Sequence, residues 1–317
     1  MLVSELYGGV ETGGTWCVCA LAREPNEIVA QAQFPTRDPA STLAEIVDFF
    51  RARPPARAIG IASFGPVDLD PSSATWGHIT TTPKPGWQHI PVASAIRDAL
   101  GVPVAFDTDV GAAALAEQRW GAGRGADSVC YVTVGTGIGA GLVSEGRPWH
   151  GLIHPEAGHM RIPHDRERDP FEGSCPMHGD CWEGLASGPA VALRWQSPAE
   201  ALADDHPAWR LEAEYLALGI LNLVLAVSPA RMVIGGGVLD RRPLLGMIRQ
   251  RLPELIAGYL VAPELGERID SYLVAPELGD RAGVLGAIAL ASDAGRFGPG
   301  RLGIAERSPS TEGRHRR

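Results

Sequence analysis

Apolar positions in the first part of the chain follow strand and helix periods in turn. The stretch LYGGVETGGTWCVCALA (residues 6–22) joins two apolar runs by a glycine-rich turn, which predicts a β-hairpin. A helix is predicted in TLAEIVDFFRAR (42–53), where apolar residues recur at helical spacing, and a buried strand in ARAIGIASFGPVDLD (56–70). Then follow a helix in PVASAIRDAL (91–100), a strand in PVAFDTDV (103–110) and an alanine-rich helix in GAAALAEQRWGAG (111–123).

A second glycine hairpin is predicted in SVCYVTVGTGIGAGLVSEG (128–146), after which LEAEYLALGILNLVLAVSPARMVIGGGVL (211–239) reads as a long apolar helix, a strand and a triple glycine. Two halves that each open with a strand, a glycine turn and a strand suggest a duplicated architecture. YLVAPELGER (259–268) recurs as YLVAPELGDR (272–281). Two copies cannot build a solenoid, so we expect them to occupy different structural settings.

Composition and charge narrow the class of protein. The 317 residues, 45% hydrophobic and 21% charged, suit one large or two ordinary globular domains. A net charge of −9 argues against nucleic acid as a partner, since a phosphate backbone requires a clustered basic face. No apolar run approaches membrane-spanning length and no signal-peptide pattern is present, so we expect a cytoplasmic protein without a membrane partner. The polar, basic end of the chain (301–317) is expected to fray.

Three glycine-rich turns each follow a β-rich run, and none matches the P-loop or the dinucleotide-binding fingerprint. One such turn alone commonly serves chain geometry, but three together favour a nucleotide whose phosphates lie between two lobes. The turns are Gly13-Gly14-Thr15, Gly135-Thr136-Gly137 and Gly235-Gly236-Gly237.

Two polar segments carry candidate chemistry. In FDTDVGAAALAE (106–117) an aspartate at a strand end can act as a general base toward a hydroxyl; the competing interpretation is that Asp107 or Asp109 caps the following helix. In HGLIHPEAGHMRI (150–162), Glu156 and His159 lie in a histidine-rich loop suited to several sugar hydroxyls, although an ordinary loop would read the same way.

A third segment predicts a metal site. FEGSCPMHGDCWEG (171–184) places Cys175, His178 and Cys181 at three-residue intervals, and His159 supplies a fourth ligand 16 residues before Cys175. Two thiolates and two imidazoles suit tetrahedral Zn²⁺, and closed four-ligand sites are usually structural. An intracellular Cys/His cluster of this kind favours a metal over a disulfide framework.

These motifs together resemble the ROK sugar kinases, and among them the bacterial fructokinases. The resemblance is carried by G-G-x-E-T-G-G-T, D-T-D-V-x-A-A-A-L-A-E, V-T-V-G-T-G-I-G-A-G, H-P-E-x-G-H and C-P-x-H-G-D-C-x-E-G-L-A-S-G-P, and it runs from about residue 7 to about residue 292. It implies an α/β fold of the actin-like, ribonuclease-H-like type, with two lobes around a cleft. The lobes would span residues 1–118 and 119–283, with a helix at about 284–296 packing back on the first lobe and a flexible tail at 297–317.

The resemblance also implies ATP, Mg²⁺, a hexose substrate and a homodimer. Asp109 would be the base that takes the proton of the sugar hydroxyl. The sugar would be held by Asp109, Glu156, His159 and Glu183, with Gly65 and Pro66 as the other wall. The phosphates would face Gly13, Gly14, Thr15, Thr136 and Gly137, and the nucleoside would lie against Gly188, Pro189, Gly235, Gly236 and Gly237. The zinc would fix the loop that carries Glu156 and His159.

The sequence departs from the family pattern at two positions. Trp16 stands where family members usually have lysine, and Gly111 where they usually have asparagine. Lys84 is the only lysine among 28 basic residues. Because Asp109 is retained, a working kinase is still expected, with fructose as its substrate and mannose or glucose as the alternatives. Trp16 and Gly111 leave a catalytically weak sugar-binding protein as a further alternative. A transcriptional repressor of this fold is not expected, because the first glycine turn leaves no room for a preceding helix-turn-helix.

Overall fold

Two five-stranded sheets form the framework of residues 5–23, 27–240 and 242–297, the parts of the chain that the computed structural model describes. The first sheet has the order β3-β2-β1-β4-β5. Its strands are β1 (Tyr7–Thr12), β2 (Trp16–Ala22), β3 (Ile28–Pro35), β4 (Ala58–Ser63) and β5 (Val104–Thr108). β1, β2 and β3 are antiparallel, whereas β4 and β5 pair parallel to β1 and β4. The predicted first hairpin is confirmed, and β3 is an additional edge strand whose alternate residues are exposed.

Helices connect the parallel strands of this sheet. Before β4 comes α1 (Pro39–Arg51), capped by Asp38, and before β5 comes α2 (Val92–Leu100), which ends at the left-handed Gly101. The alanine-rich helix, α3 (Asp109–Trp120), begins directly after β5. Its cap is Thr108, whose Oγ1 accepts the Gly111 N–H at 3.0 Å. The interpretation that Asp107 or Asp109 caps this helix is therefore wrong.

The second sheet repeats this arrangement, in the order β10-β9-β6-β7-β8. The antiparallel hairpin of β6 and β7 corresponds to β1 and β2, and β9 pairs parallel to β6 as β4 does to β1. The duplicated pattern predicted from the two glycine hairpins is thus present in the strand order. The strands are β6 (Ser128–Val134), β7 (Ile138–Ser144), β8 (Arg147–Pro148), β9 (Arg231–Gly235) and β10 (Leu273–Val274).

The remaining helices cover this second sheet or return to the first. They are α4 (Trp182–Ala186), α5 (Gly188–Trp195), α6 (Ala208–Val227), α7 (Arg242–Ile256), α8 (Ile269–Tyr272) and α9 (Ala282–Phe297). The predicted long apolar helix is α6, whose buried residues join the large core of the second sheet. None of the helices in the described ranges is both long and apolar enough to cross a membrane.

α9 packs on the first sheet at backbone distance. A Cβ on Gly9 of β1 would lie 2.7 Å from the Val284 carbonyl oxygen, and one on Gly60 of β4 would collide with the Ala287 carbonyl. Glycine at these two positions lets the helix axis approach the strands, so the C-terminal helix and the first sheet share one core. The predicted flexible tail (297–317) lies outside the described residues, apart from Phe297 at the end of α9.

The two copies of YLVAPELG have different environments, as expected. In the first copy Tyr259 and Val261 are 83% and 95% exposed. In the second copy Tyr272 is buried and the next two residues form β10 beside β9. Identical residues therefore form a surface turn once and a sheet edge once.

The carboxylate of Glu117 anchors the second copy to α3. It is fully buried and accepts the backbone N–H groups of Ala122 at 2.7 Å, Glu277 at 3.2 Å and Leu278 at 2.9 Å. A charged acceptor that satisfies three backbone donors away from water is worth more than an ordinary neutral hydrogen bond.

We expect Glu117→Ala to lower the free energy of unfolding by about 3 kcal/mol, because it leaves these donors without a partner. Glu117→Gln, which keeps one acceptor oxygen, should lose less. Urea denaturation followed by circular dichroism measures both. Glu277→Ala is the matched control, because the exposed Glu277 contributes its backbone N–H and not its side chain to this contact. An equal loss in Glu117→Ala and the control would contradict the anchor.

Candidate active site

The first glycine turn joins β1 to β2 and is fixed by hydrogen bonds within the turn and from Thr36. Gly13 donates its N–H to the Trp16 carbonyl at 2.9 Å, while Thr36 donates Oγ1–H to the Gly13 carbonyl at 2.8 Å and its N–H to the Thr15 carbonyl at 2.9 Å. A Cβ on Gly14 would meet nothing within 4 Å. The tip of the turn therefore presents open backbone, as a phosphate-binding loop requires.

At the second glycine turn three predicted segments meet, namely the turn itself, the start of α5 and the glycines after β9. The Gly188 N–H donates to the Gly135 carbonyl at 2.8 Å, which places the start of α5 against the turn between β6 and β7. The first residues after β9 lie at the same place, because a Cβ on Gly236, which has φ +99°, would lie 2.5 Å from the Val134 carbonyl oxygen. Thr136 and Pro189 are exposed at this edge. The predicted second phosphate turn and both predicted nucleoside segments thus form one surface.

Asp109 and Glu11 form an acidic pair beside the first turn. Asp109 is the first residue of α3, and its Oδ1 accepts the Val110 N–H at 2.8 Å. Burial and the charge of Asp107 raise the pKa of Asp109 to about 6, against the hydrogen bond from Val110, which lowers it. Burial, and next the charge of Asp109, raise the pKa of Glu11 to about 7. The effect of the Asp109 charge on Glu11 places the two carboxyl groups in the same region, where β1 and β5 end.

Glu11 has the features of a cation ligand. Its Oε2 is buried and has no hydrogen-bond partner within the described part of the chain. A Cβ on Gly283 would collide with its carboxylate, which places the group against the first turn of α9. A buried, unpaired carboxylate oxygen beside a second carboxylate and a phosphate-type turn fits Mg²⁺, which takes oxygen ligands from one or two carboxylates and substrate phosphates.

The 64–67 segment, which contains the predicted sugar wall of Gly65 and Pro66, packs against the histidine-rich loop. A Cβ on Gly65 would lie 3.3 Å from Glu156 Oε1 and equally close to the ring of His154. His154 Nε2 accepts the Val67 N–H at 3.0 Å, and its Nδ1 lies 3.5 Å from Glu156 Oε1. Burial, then the charges of Asp109 and Glu183, raise the pKa of Glu156 to about 7. The charges of Asp109 and Glu183 act on Glu156, which places the three carboxyl groups in one region of the fold.

Glu183 connects the cysteine loop to the second glycine turn. It lies on the first turn of α4, and its Oε2 accepts the Ile138 N–H at 3.0 Å. A Cβ on Gly137 would lie 2.5 Å from the same oxygen, so glycine gives the carboxylate room. One oxygen of Glu183 is thus committed to the backbone, which leaves the other for a ligand.

The four predicted metal ligands converge on one point. His159, Cys175, His178 and Cys181 offer ligand atoms that all lie within 4.8 Å of one another. His159 Nδ1 lies 3.7 Å from Cys175 Sγ and 3.6 Å from Cys181 Sγ, and His178 Nδ1 lies 3.7 Å from Cys175 Sγ. In a zinc tetrahedron with ordinary Zn–S and Zn–N lengths, a sulfur and a nitrogen stand about 3.6 Å apart. The donor set fits Zn²⁺ in chemistry and in geometry.

A buried polar network supports the loop between His159 and the cysteines. Asp169 accepts hydrogen bonds from Tyr215 Oη at 2.7 Å and from Arg194 Nε at 3.1 Å. His164 lies between Asp169, whose carbonyl oxygen is 2.9 Å from Nε2, and Asp180, whose Oδ2 is 3.2 Å from Nδ1. The loop is therefore fixed to α5 and α6 independently of its metal ligands.

Sequence reasoning missed several residues of this site. Glu11 precedes the first glycine turn within the E-T-G-G-T motif, and a carboxylate at a strand end was the signal that could have found it. His154 and Thr36 act through backbone groups distant in sequence, which no local pattern reveals. Lys84 donates from Nζ to the Gly14 carbonyl at 2.6 Å, 70 residues away along the chain.

The fold defines a class: a two-lobed α/β protein of the actin-like, ribonuclease-H-like type, whose glycine turns and carboxylates lie at the ends of strands of its two sheets. The model of the ROK family matches residues 7–294, and the chain belongs to this family.

Similar proteins include two curated relatives. The chain is 44% identical over 289 residues to a putative fructokinase of Bacillus subtilis, covering 91% of this chain and 96% of the relative. It is 43% identical over 304 residues to a fructokinase of Zymomonas mobilis, covering 90% and 96%. Among solved structures, the ROK glucokinase of Streptomyces griseus in complex with glucose and AMPPNP superposes with a TM-score of 0.71 at 27% identity, covering 91% of this chain and 99% of that one.

Gly111, one of the two departures from the family pattern, packs closely against Asp107 and Thr108. A Cβ at this position would lie 2.6 Å from Asp107 Oδ1 and 2.8 Å from Thr108 Oγ1. The Asp107 oxygen is already used, because it accepts the Thr108 N–H at 2.7 Å and lies 3.2 Å from His150 Nε2. The space beside residue 111 is therefore taken by the Asp107 carboxylate.

We expect Gly111→Asn to destabilise the protein by about 1–3 kcal/mol, because the new side chain displaces Asp107 from its partners. Thermal and urea unfolding measure the change. Gly246→Ala in α7 is the matched control: a Cβ there meets nothing within 4 Å, so helix propensity should make it neutral or stabilising by about 0.5–1 kcal/mol. A stabilised Gly111→Asn variant would show that the site accommodates asparagine.

Proposed function

We propose that the protein is an ATP-dependent fructokinase that converts D-fructose to fructose 6-phosphate. The observation that carries this proposal is the position of Asp109, a carboxyl with a raised pKa that shares one site with Glu156 and Glu183 and stands beside an open glycine turn. Identities of 43–44% to fructokinases over most of the chain support fructose as the hexose.

In the proposed reaction the oxygen of the sugar 6-hydroxyl attacks the γ-phosphorus of ATP, and Asp109 accepts the proton of that hydroxyl. An oxygen–phosphorus bond forms, the bond between the γ-phosphorus and the β,γ-bridging oxygen breaks, and ADP leaves with the electron pair. A pKa near 6 keeps Asp109 mostly ionised at neutral pH while making it a stronger base than an ordinary aspartate. Catalysis of this type depends on positioning and on charge stabilisation of the phosphoryl group.

The remaining residues divide between nucleotide and sugar. The turns at Gly13-Gly14-Thr15 and Thr136-Gly137 would face the phosphates, and Glu11 would hold the Mg²⁺, which neutralises phosphate charge when bound. The nucleoside would lie on Gly188, Pro189 and Gly235–Gly237. Glu156, Glu183 and His159 would accept or donate hydrogen bonds to the hydroxyls, with Gly65 and Pro66 as the opposite wall.

The Cys/His cluster would hold one structural Zn²⁺. With Nδ1 of His159 directed at the metal, its Nε2 is left for a sugar hydroxyl. Glu183 begins α4 two residues after Cys181, so the ion fixes sugar-binding groups without touching the reacting atoms.

Hexose-dependent ADP release is the direct test of the function. In a coupled assay with Mg²⁺ and ATP we expect kcat/KM for D-fructose to exceed those for D-mannose and D-glucose. A preference for mannose or glucose would change the assigned substrate but would still support a hexose kinase. Absence of turnover with every hexose, together with hexose binding by calorimetry, would instead establish a sugar-binding protein.

Asp109→Asn should reduce kcat by about 10²–10⁴-fold with little change in hexose binding, because it removes the base and keeps the shape. In the wild type, log kcat/KM should fall with falling pH below about 6, since protonation abolishes the base and the pKa of Asp109 is raised to about 6. The pKa values of the neighbouring carboxyls of Glu11 and Glu156 are also raised, each to about 7. An acid limb near pH 4, where an ordinary aspartate titrates, would contradict the assignment.

Elemental analysis should find about one zinc per chain, as four ligands around one ion require. Cys181→Ser should lower zinc content and weaken fructose binding measured by calorimetry, while Met177→Ala, an exposed change in the same loop, should leave both unchanged. Folded, fructose-binding wild type without zinc would refute the site.

Three further expectations stay predictions. They are the lobe limits at residues 118 and 283, the cytoplasmic location without nucleic-acid or membrane partners, and the homodimer implied by the family resemblance.

A further inference from the structure

Lys84 lies on a loop that is fixed to the first sheet. The loop is anchored by Trp87, which is fully buried and donates Nε1–H to the Arg37 carbonyl at 2.8 Å. Gln88 donates to the Thr82 carbonyl at 3.0 Å, and the Lys84 N–H donates to Thr82 Oγ1 at 3.3 Å. Pro83 and Pro85 flank the lysine and restrict the backbone further. The position from which Lys84 extends is therefore well defined.

The ammonium group of Lys84 reaches the first glycine turn. Its Nζ donates to the Gly14 carbonyl at 2.6 Å, at the residue where the turn is open to ligand. An ammonium has three donors, so this contact leaves others for a second acceptor.

The charge of Lys84 has no carboxylate partner. Across the described ranges, no Asp or Glu oxygen lies within 4.0 Å of Nζ, whereas Arg37, on the segment that holds the turn, pairs with Glu45. Trp16, which follows the turn and is 50% exposed, carries no charge. A cation held against open backbone and left without a counter-ion suits an anionic ligand at the same turn.

We propose that Lys84 contacts the phosphoryl group in transfer and stabilises the charge that develops on it. This inference rests on the proposed kinase function and adds a residue to it. The lysine acts as a point charge on the phosphate oxygens as the bond to the β-phosphate breaks, and it neither gains nor loses a proton in the step.

Lys84→Met should reduce kcat by about 100-fold, the cost typical of removing one preorganised donor to developing charge. The KM and calorimetric Kd for fructose should change by less than about threefold, and the melting temperature should stay unchanged. Lys84→Arg, which keeps the charge, should retain more of kcat. Placing a cation on the other side of the turn, by Trp16→Lys in the Lys84→Met background, should restore part of kcat.

Arg97→Met is the control, because Arg97 is an exposed cation of the same half of the chain that pairs with Asp98 on α2. It should leave kcat unchanged. Lys84→Met with wild-type kcat, or with a loss confined to the KM for fructose, would overturn the proposal. An inactive wild type would instead overturn the proposed function, so the two failures are distinguishable.

Discussion

Parallel strand pairing sets the geometry on which the candidate site depends. The register aligns Thr12 of β1 with Ser63 of β4, and Ser63 with Thr108 of β5, so these three strands end side by side. A hydrogen bond of 3.0 Å from Thr12 Oγ1 to Ser63 Oγ joins the first two ends. The glycine turn follows Thr12 directly and Asp109 follows Thr108 directly. A slip of one residue would exchange the faces of a strand and move one group away from the other.

What the sequence could predict was local or periodic. Hairpins around glycine turns, the helix after β5 and the four metal ligands follow from spacing within short segments, and the carboxylate at a strand end follows from where strand and helix periods meet. The cap of α3 was assigned to the wrong residue, because Asp107, Thr108 and Asp109 are all good capping residues and only the backbone course selects among them. Glu117 and Lys84 act on groups more than 60 residues away, which periodicity does not encode.

Two independent supports hold the loop that carries the cysteines. One is the cluster of His159, Cys175, His178 and Cys181, which fits Zn²⁺, and the other is the hydrogen-bonded network around Asp169. The network fixes the base of the loop to α5 and α6. The cluster fixes its tip and, through α4, the direction of Glu183. The network therefore governs folding of the segment, and the cluster governs the position of Glu183, which the proposed function assigns to the sugar.

Because the YLVAPELG segment occurs twice, either copy could in principle form the strand that pairs with β9. Tyr259–Gly266 and Tyr272–Gly279 share eight identical residues, so the edge of β9 meets the same side chains in either copy. Local preference cannot choose between them, and the change in loop length costs well under about 1 kcal/mol. The choice depends on the chain on either side of the segment, namely α8 before it and the short connection to α9 after it. The flanking chain thus decides which of two interchangeable pieces becomes β10, and the Glu117 carboxylate then holds the chosen piece through backbone groups that either copy could offer.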